Sequence, residues 1–147
     1  MFVDNSGSTG NSANYWSAVN DVIYKYAKNI SHYYLWNSDI KEVPLKQLEA
    51  WVTSKKGTGG TSPNVVAQEV VSKKYKEIIL VTDGEVGDGS VQMCDKIFDE
   101  AEKNQNFKYD KSICFIISTG YGELNMSVTC PFTRNCESQV YTKRKDE

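Results

Sequence analysis

The spacing of hydrophobic residues changes several times along the chain, and each change predicts a new element. Between residues 12 and 28, apolar side chains recur every three or four positions, which indicates one face of a helix. Asn11 or Ser12 can cap the start of this helix. The aromatic run "ISHYYLWNSD" at 30–39 predicts a strand, and residues 41–43 can fold back after it as a short hairpin.

Proline and glycine interrupt the middle of the chain. A second, shorter helix follows Pro44, and the glycine-rich stretch "KKGTGGTSP" at 55–63 ends it. Ser62 followed by Pro63 opens a third helix, because proline at the first helical position loses no hydrogen bond.

Two runs of consecutive apolar residues predict buried strands. They lie within "EIILVTDGE" at 77–85 and "SICFIISTGYG" at 112–122. Continuous apolar runs of this length are typical of strands that are buried on both faces of a parallel sheet. Asp88 or Ser90 can cap a helix between them, and "QVYTK" at 139–143 is a candidate for a final strand.

Strands and helices therefore alternate, and this order predicts an α/β fold. We expect a Rossmann-like three-layer sandwich, in which a mostly parallel central sheet carries helices on both faces. The 147 residues suffice for one domain spanning 1–147. Two parts fit this expectation less clearly. Only residues 1–3 precede Asp4, which suggests a first strand that is cut short, and 121–147 has no clear assignment.

Charge and composition argue against some classes of partner. The formal net charge of -2 argues against a broad positive field for nucleic acid. No apolar stretch reaches the about 20 residues that cross a bilayer, so we expect no membrane insertion. The chain begins without a signal peptide, which favours a cytoplasmic location provided that the chain is complete.

The four cysteines show no zinc-binding spacing. Cys94 and Cys114 fall among apolar residues and are expected to be buried thiols. Cys130 and Cys136 lie in a loop-like stretch, where either a disulfide or two free thiols would fit.

Oxygen-bearing side chains cluster where the predicted strands end. Asp4 follows the first apolar run, with Ser6 and Ser8 at the second and fourth positions after it, and Asp83 follows "ILVT". Thr61 precedes a helix in the glycine-rich loop. Because ligands of such folds bind beyond the carboxyl ends of the strands, we expect these five residues to converge. Their oxygen atoms favour Mg²⁺ or Mn²⁺ over Zn²⁺.

Three of these stretches resemble the von Willebrand factor type A domain. "DNSGS" at 4–8 matches the D-x-S-x-S signature of that family. "GGT" at 59–61 is similar to its threonine loop, and "VTDGE" at 81–85 is similar to its third loop. The likeness covers roughly residues 1 to 119, and it implies the three-layer fold expected above.

This resemblance also implies a metal-ion-dependent adhesion site. By that likeness, Ser6 and Ser8 contact the cation directly, and Thr61 does so directly or through water. Asp4 and Asp83 act mainly through water. The resemblance further implies a protein partner, whose glutamate or aspartate completes the coordination shell. We therefore expect a binding module and not an enzyme.

Other interpretations of the same residues remain open at this point. Asp4 could cap a helix while Ser6 and Ser8 serve as turn residues, and Thr58 could take the role given to Thr61. A phosphatase-like hydrolase is the catalytic alternative, but Ser6 stands where such enzymes place their acid/base aspartate. A third possibility is a scaffold with an unused metal site. Glu85 is either a surface charge or a residue that tunes the choice of partner.

Overall fold

The computed structural model describes residues 1–120 and 124–145. Six strands in this part of the chain are β1 (Phe2–Asp4), β2 (Tyr33–Trp36), β3 (Ile40–Val43), β4 (Glu77–Thr82), β5 (Lys111–Ile117) and β6 (Glu137–Lys143). The α-helices are α1 (Ala13–Tyr26), α2 (Leu45–Ser54), α3 (Asn64–Lys73), α4 (Asp88–Gln105) and α5 (Thr129–Thr133). Short 3-10 helices follow β1 at Gly7–Thr9 and α1 at Ala27–Asn29.

The six strands form one sheet in the order β3-β2-β1-β4-β5-β6. All neighbouring strands run parallel except β2 and β3, which form the expected antiparallel hairpin. The chain is thus an α/β protein with a Rossmann-like, mostly parallel sheet, as the sequence predicts. β1 has only three residues, but it lies in the middle of the sheet and pairs with β2 and β4.

Two hydrophobic clusters lie on opposite faces of the sheet. Val3, Val81 and the apolar sides of α1 and α2 belong to one cluster. Phe2, Leu80 and the apolar sides of α3 and α4 belong to the other. Because successive side chains of a strand point to opposite faces, both faces of β1 and β4 are buried. This double burial explains why the strands appear in the sequence as continuous apolar runs.

The helix starts agree with the sequence in one case and differ in another. Ser12 caps α1, and its hydroxyl accepts a hydrogen bond from the backbone N–H of Tyr15 at 3.2 Å. For α4 the expectation of a cap at Asp88 or Ser90 is wrong, because the cap position is Gly87. Asp88 instead lies in the first turn, where its carboxylate interacts favourably with the helix dipole.

The segment that had no clear assignment contributes α5 and β6. β6 pairs with β5 from Lys111 opposite Glu137 to Ile117 opposite Lys143, which confirms a final strand and extends it to Glu137. Residues 121–123 and 146–147 of this segment lie outside the described residues. Cys130 and Cys136 are free thiols, and Cys94 and Cys114 are buried. No helix in the described part of the chain is long and apolar enough to cross a membrane.

Candidate metal centre

The parallel pairing of β1 and β4 brings two aspartates to the same edge of the sheet. Phe2 lies opposite Leu80 and Val3 opposite Val81, so Asp4 and Thr82 end neighbouring strands at a similar level. The Thr82 hydroxyl donates a hydrogen bond to Oδ2 of Asp4 at 2.6 Å. Asp83 follows directly, and its Oδ2 accepts a hydrogen bond from the hydroxyl of Ser8.

Each aspartate also stabilises the turn that it begins. Oδ1 of Asp4 accepts the backbone N–H of Ser6 at 2.7 Å, and Oδ1 of Asp83 accepts the N–H of Glu85 at 3.0 Å. A hydrogen bond to the N–H two residues later is the Asx turn that aspartate favours. In both residues, Oδ1 thus accepts a local backbone hydrogen bond, while Oδ2 accepts a hydrogen bond from a hydroxyl of the other segment: Thr82 at the end of β4 for Asp4, and Ser8 in the loop after β1 for Asp83.

The two serines of the first loop point their hydroxyls at each other. Their Oγ atoms lie 3.3 Å apart, Ser6 is fully buried, and Ser8 is exposed. The 3-10 helix at Gly7–Thr9 sets this spacing, and Thr9 secures it by donating from Oγ1 to the carbonyl of Ser6 at 2.7 Å. The structure therefore brings four of the predicted residues, Asp4, Ser6, Ser8 and Asp83, into one hydrogen-bonded cluster.

The glycine-rich loop lies against the first loop. The N–H of Gly7 donates to the carbonyl of Gly59 at 2.9 Å, and the N–H of Thr58 donates to the carbonyl of Asn5 at 2.8 Å. A Cβ atom at Gly57 would lie only 2.4 Å from the carbonyl oxygen of Ser6, so this close approach requires glycine.

The same loop carries Thr61, which is half-buried. Within residues 1–120 and 124–145, its hydroxyl makes no hydrogen bond, in contrast to the hydroxyl of Thr58, which faces Asn37 Nδ2 at 3.4 Å. The loop is thus next to the cluster, whereas contact between the Thr61 side chain and the cluster stays a prediction.

Burial and mutual repulsion work against two negative charges here. Burial raises the pKa of Asp4, and hydrogen bonds from Ser6 and Thr82 partly offset that rise. Burial also raises the pKa of Asp83, and the nearby charge of Asp4 raises it further. The pKa of Glu85 is raised by partial burial and then by the charge of Asp83. A proton on one carboxyl group, or a cation beside the two, would relieve this repulsion.

Some supporting residues were not recognised as such from the sequence. The Tyr15 hydroxyl donates to the backbone carbonyl of Asp4 at 2.6 Å, and Trp16 Nε1 donates to the carbonyl of Thr9 at 2.9 Å. Both residues count toward the apolar face of α1 in the sequence pattern. The sequence pattern does not assign Thr82 to the site either, although its hydroxyl directly before Asp83 is a signal that could indicate it.

The donor atoms fit a small, hard cation. Mg²⁺ takes oxygen ligands at about 2.0–2.1 Å in an octahedron, in which neighbouring oxygens lie about 3 Å apart. The hydroxyl separation of 3.3 Å between Ser6 and Ser8 is close to that spacing. Among the described residues, no group of three or more histidine, cysteine, aspartate and glutamate side chains could hold a metal. A site here would therefore depend on hydroxyls as much as on carboxylates.

No family model matches the chain, and a comparison with curated proteins gives no match. Function is therefore inferred from the chemistry of the three loops.

Proposed function

We propose that this chain is a protein-binding module of the von Willebrand factor type A kind. In this proposal a divalent cation, Mg²⁺ or Mn²⁺, is held at the adhesion site and captures an acidic side chain of a protein partner. The observation that carries the proposal is a pair of hydrogen bonds in which each segment donates a hydroxyl to the aspartate of the other. Thr82 donates to Asp4, and Ser8 donates to Asp83, which draws both carboxylates and both serine hydroxyls together at one sheet edge.

In this proposal, the hydroxyls bind the cation and the two aspartates balance its charge. Ser6 and Ser8 offer neutral oxygens to the cation, and Thr61 offers a third from the neighbouring loop. Asp4 and Asp83 supply two negative charges nearby, which offset the charge of the cation. Because its direct ligands are neutral, a bound cation would keep most of its positive charge. It would therefore attract a further anionic oxygen strongly.

A carboxylate from a partner protein suits this remaining position. Glutamate and aspartate present a hard, negatively charged oxygen on a short, exposed side chain. A catalytic role would need a group that moves protons. Ser6 occupies the place that an acid/base aspartate takes in phosphatases, and the single histidine, His32, instead bonds Glu42 on the protein surface. We therefore propose binding without turnover.

A metal titration with a matched pair of variants tests the proposal. The melting temperature of the metal-free protein is followed while MgCl₂ or MnCl₂ is added, for the wild type, for Asp83→Asn and for Asp21→Asn. Asp21 is an exposed aspartate on α1 and serves as the control. At ten times the dissociation constant, binding to the folded state adds about 1.4 kcal/mol. For a domain of this size that raises the midpoint by about 3–5 °C.

The same variants test partner capture. The immobilised protein is exposed to an extract of the native source with Mg²⁺ or with excess EDTA. We expect partners that are retained by the wild type and Asp21→Asn in Mg²⁺, and that are lost with EDTA or with Asp83→Asn. A wild-type midpoint that no millimolar metal shifts, together with equal retention in EDTA, would refute the proposal.

A further inference from the structure

Within residues 1–120 and 124–145, the outer edge of β6 is an open strand edge. β6 ends the strand order of the sheet, and no strand in the described part of the chain pairs with its outer side. Val140 and Tyr141 are each 40% exposed there. The seven residues contain no proline, and their register with β5 is continuous without a bulge. Natural sheets usually protect such edges, because an open edge accepts another strand.

The hydrogen bonds to β5 determine which backbone groups of β6 face outward. The N–H of Glu137 donates to the carbonyl of Asp110, and the carbonyl of Lys143 accepts from the N–H of Ser118. Both groups point toward β5. Because the backbone groups of a strand alternate in direction, the N–H and C=O of residues 138, 140 and 142 point away from the sheet.

These outward groups match an antiparallel copy of the same strand. If two β6 strands meet with Val140 opposite Val140, Ser138 lies opposite Thr142. Each of these positions presents both N–H and C=O, so opposed residues exchange two hydrogen bonds. The same register places Glu137 opposite Lys143 at both ends of the interface. The strand is therefore its own complement in backbone pattern and in charge.

We propose that two copies of this chain associate through their β6 strands, antiparallel about a two-fold axis at Val140. The sheet then continues across the dimer, and the contact uses the same patch on both subunits. The partner is a second copy because the only charged residues of β6 stand at its two ends with opposite sign. Opposite charges across an antiparallel pair stabilise it, whereas like charges destabilise it.

Tyr141 is already held in place for this contact. Its ring stacks on Phe115 of β5 with centroids 5.1 Å apart, and its hydroxyl donates to Gln139 at 3.0 Å. In the proposed register Tyr141 lies opposite Gln139 of the second copy. A single strand pair buries less area than a standard interface, so we expect dissociation constants in the micromolar range.

Sedimentation velocity across the micromolar concentration range tests the dimer, with EDTA present so that the metal centre plays no part. We expect the wild type to shift from monomer to dimer as its concentration rises. Val140→Pro removes an N–H that faces outward, which an edge strand tolerates, and we expect it to weaken the dimer by about tenfold or more. We expect its melting temperature to stay close to that of the wild type, and this measurement checks that the fold is kept.

A charge exchange tests the register itself. Lys143→Glu places like charges at both ends and should weaken the dimer. The double variant Glu137→Lys/Lys143→Glu should restore it. Lys143 is suited to the single change because its neighbour on β5 is Ile117, which carries no charge. Glu100→Lys, at an exposed position of α4, is a control for reversing one charge.

A wild type that stays monomeric at every concentration would overturn the proposal. A dimer that Val140→Pro and Lys143→Glu leave unchanged, or that the double variant does not restore, would also overturn it.

Discussion

Replacing Thr82 with valine tests the bond that joins the two halves of the candidate site. The change replaces the hydroxyl with a methyl group and so nearly keeps the shape of the side chain while it removes the hydrogen-bonding group. That hydroxyl donates to the buried Asp4 at 2.6 Å and accepts the N–H of Gly84 at 3.2 Å. Both partners are buried, so water cannot replace the lost bonds without a change in structure.

The expected cost follows from these two bonds. A hydrogen bond to a charged group contributes about 1.5–3 kcal/mol, and a buried N–H left without a partner costs about 1–3 kcal/mol. The two contributions together amount to about 2.5–6 kcal/mol, and we expect Thr82→Val to lower the free energy of unfolding by that amount in the absence of metal. Because Thr82 also orients Asp4, cation affinity should fall by about 10–100-fold, as for other residues that hold metal ligands in place.

Urea denaturation in EDTA measures the first effect, and calorimetric titration with MgCl₂ measures the second. Thr53→Val is the control, because its hydroxyl donates to the carbonyl of Glu49 on an exposed helix surface. We expect the control to stay within about 0.5 kcal/mol of the wild type. If Thr82→Val is no less stable than Thr53→Val, the bond to Asp4 does not hold the loops together and the reasoning is wrong.

Two further predictions concern charge and backbone at the same edge. Because the folded-state pKa values of Asp4 and Asp83 are raised, the metal-free protein should lose stability as pH rises from the usual carboxyl range through these raised values. The rise in melting temperature caused by MgCl₂ should grow over the same window, and melting curves at several pH values measure both trends. Gly84→Ala should destabilise by about 2 kcal/mol or more in urea denaturation, since Gly84 has φ +78° and a Cβ would lie 2.4 Å from the Asn125 carbonyl oxygen. Gly89→Ala, at an open position in α4, should instead stabilise by about 0.5–1 kcal/mol, and equal effects of the two changes would contradict the explanation.

The central part of the fold was predictable because its signals are local. β4 and β5 are buried on both faces, so their sequences are nearly continuous apolar runs. β6 gave a weaker signal, because six of its seven residues are exposed and no alternation marks a buried face. The five-residue helix α5 is too short for a helical period to show.

The candidate site was predictable only as far as spacing and strand ends determine it. Asp4, Ser6 and Ser8 belong to one turn, and their arrangement follows from the Asx geometry that aspartate favours. The supporting bonds of Thr82 and Tyr15 depend on which strands and helices become neighbours. Neither the composition nor the periodicity of a short stretch contains that information. From the sequence, both residues therefore look like ordinary strand and helix positions.

The bond between Thr82 and Asp4 joins residues that are 78 positions apart in the chain, and the bond between Ser8 and Asp83 spans 75. Closing loops of that length is slow and costs entropy, so we expect these contacts to form late, after β4 has docked beside β1. A peptide that contains only the first loop should therefore bind no cation. During refolding, cation binding should develop together with the completed sheet, so the metal would act as a reporter of the folded state.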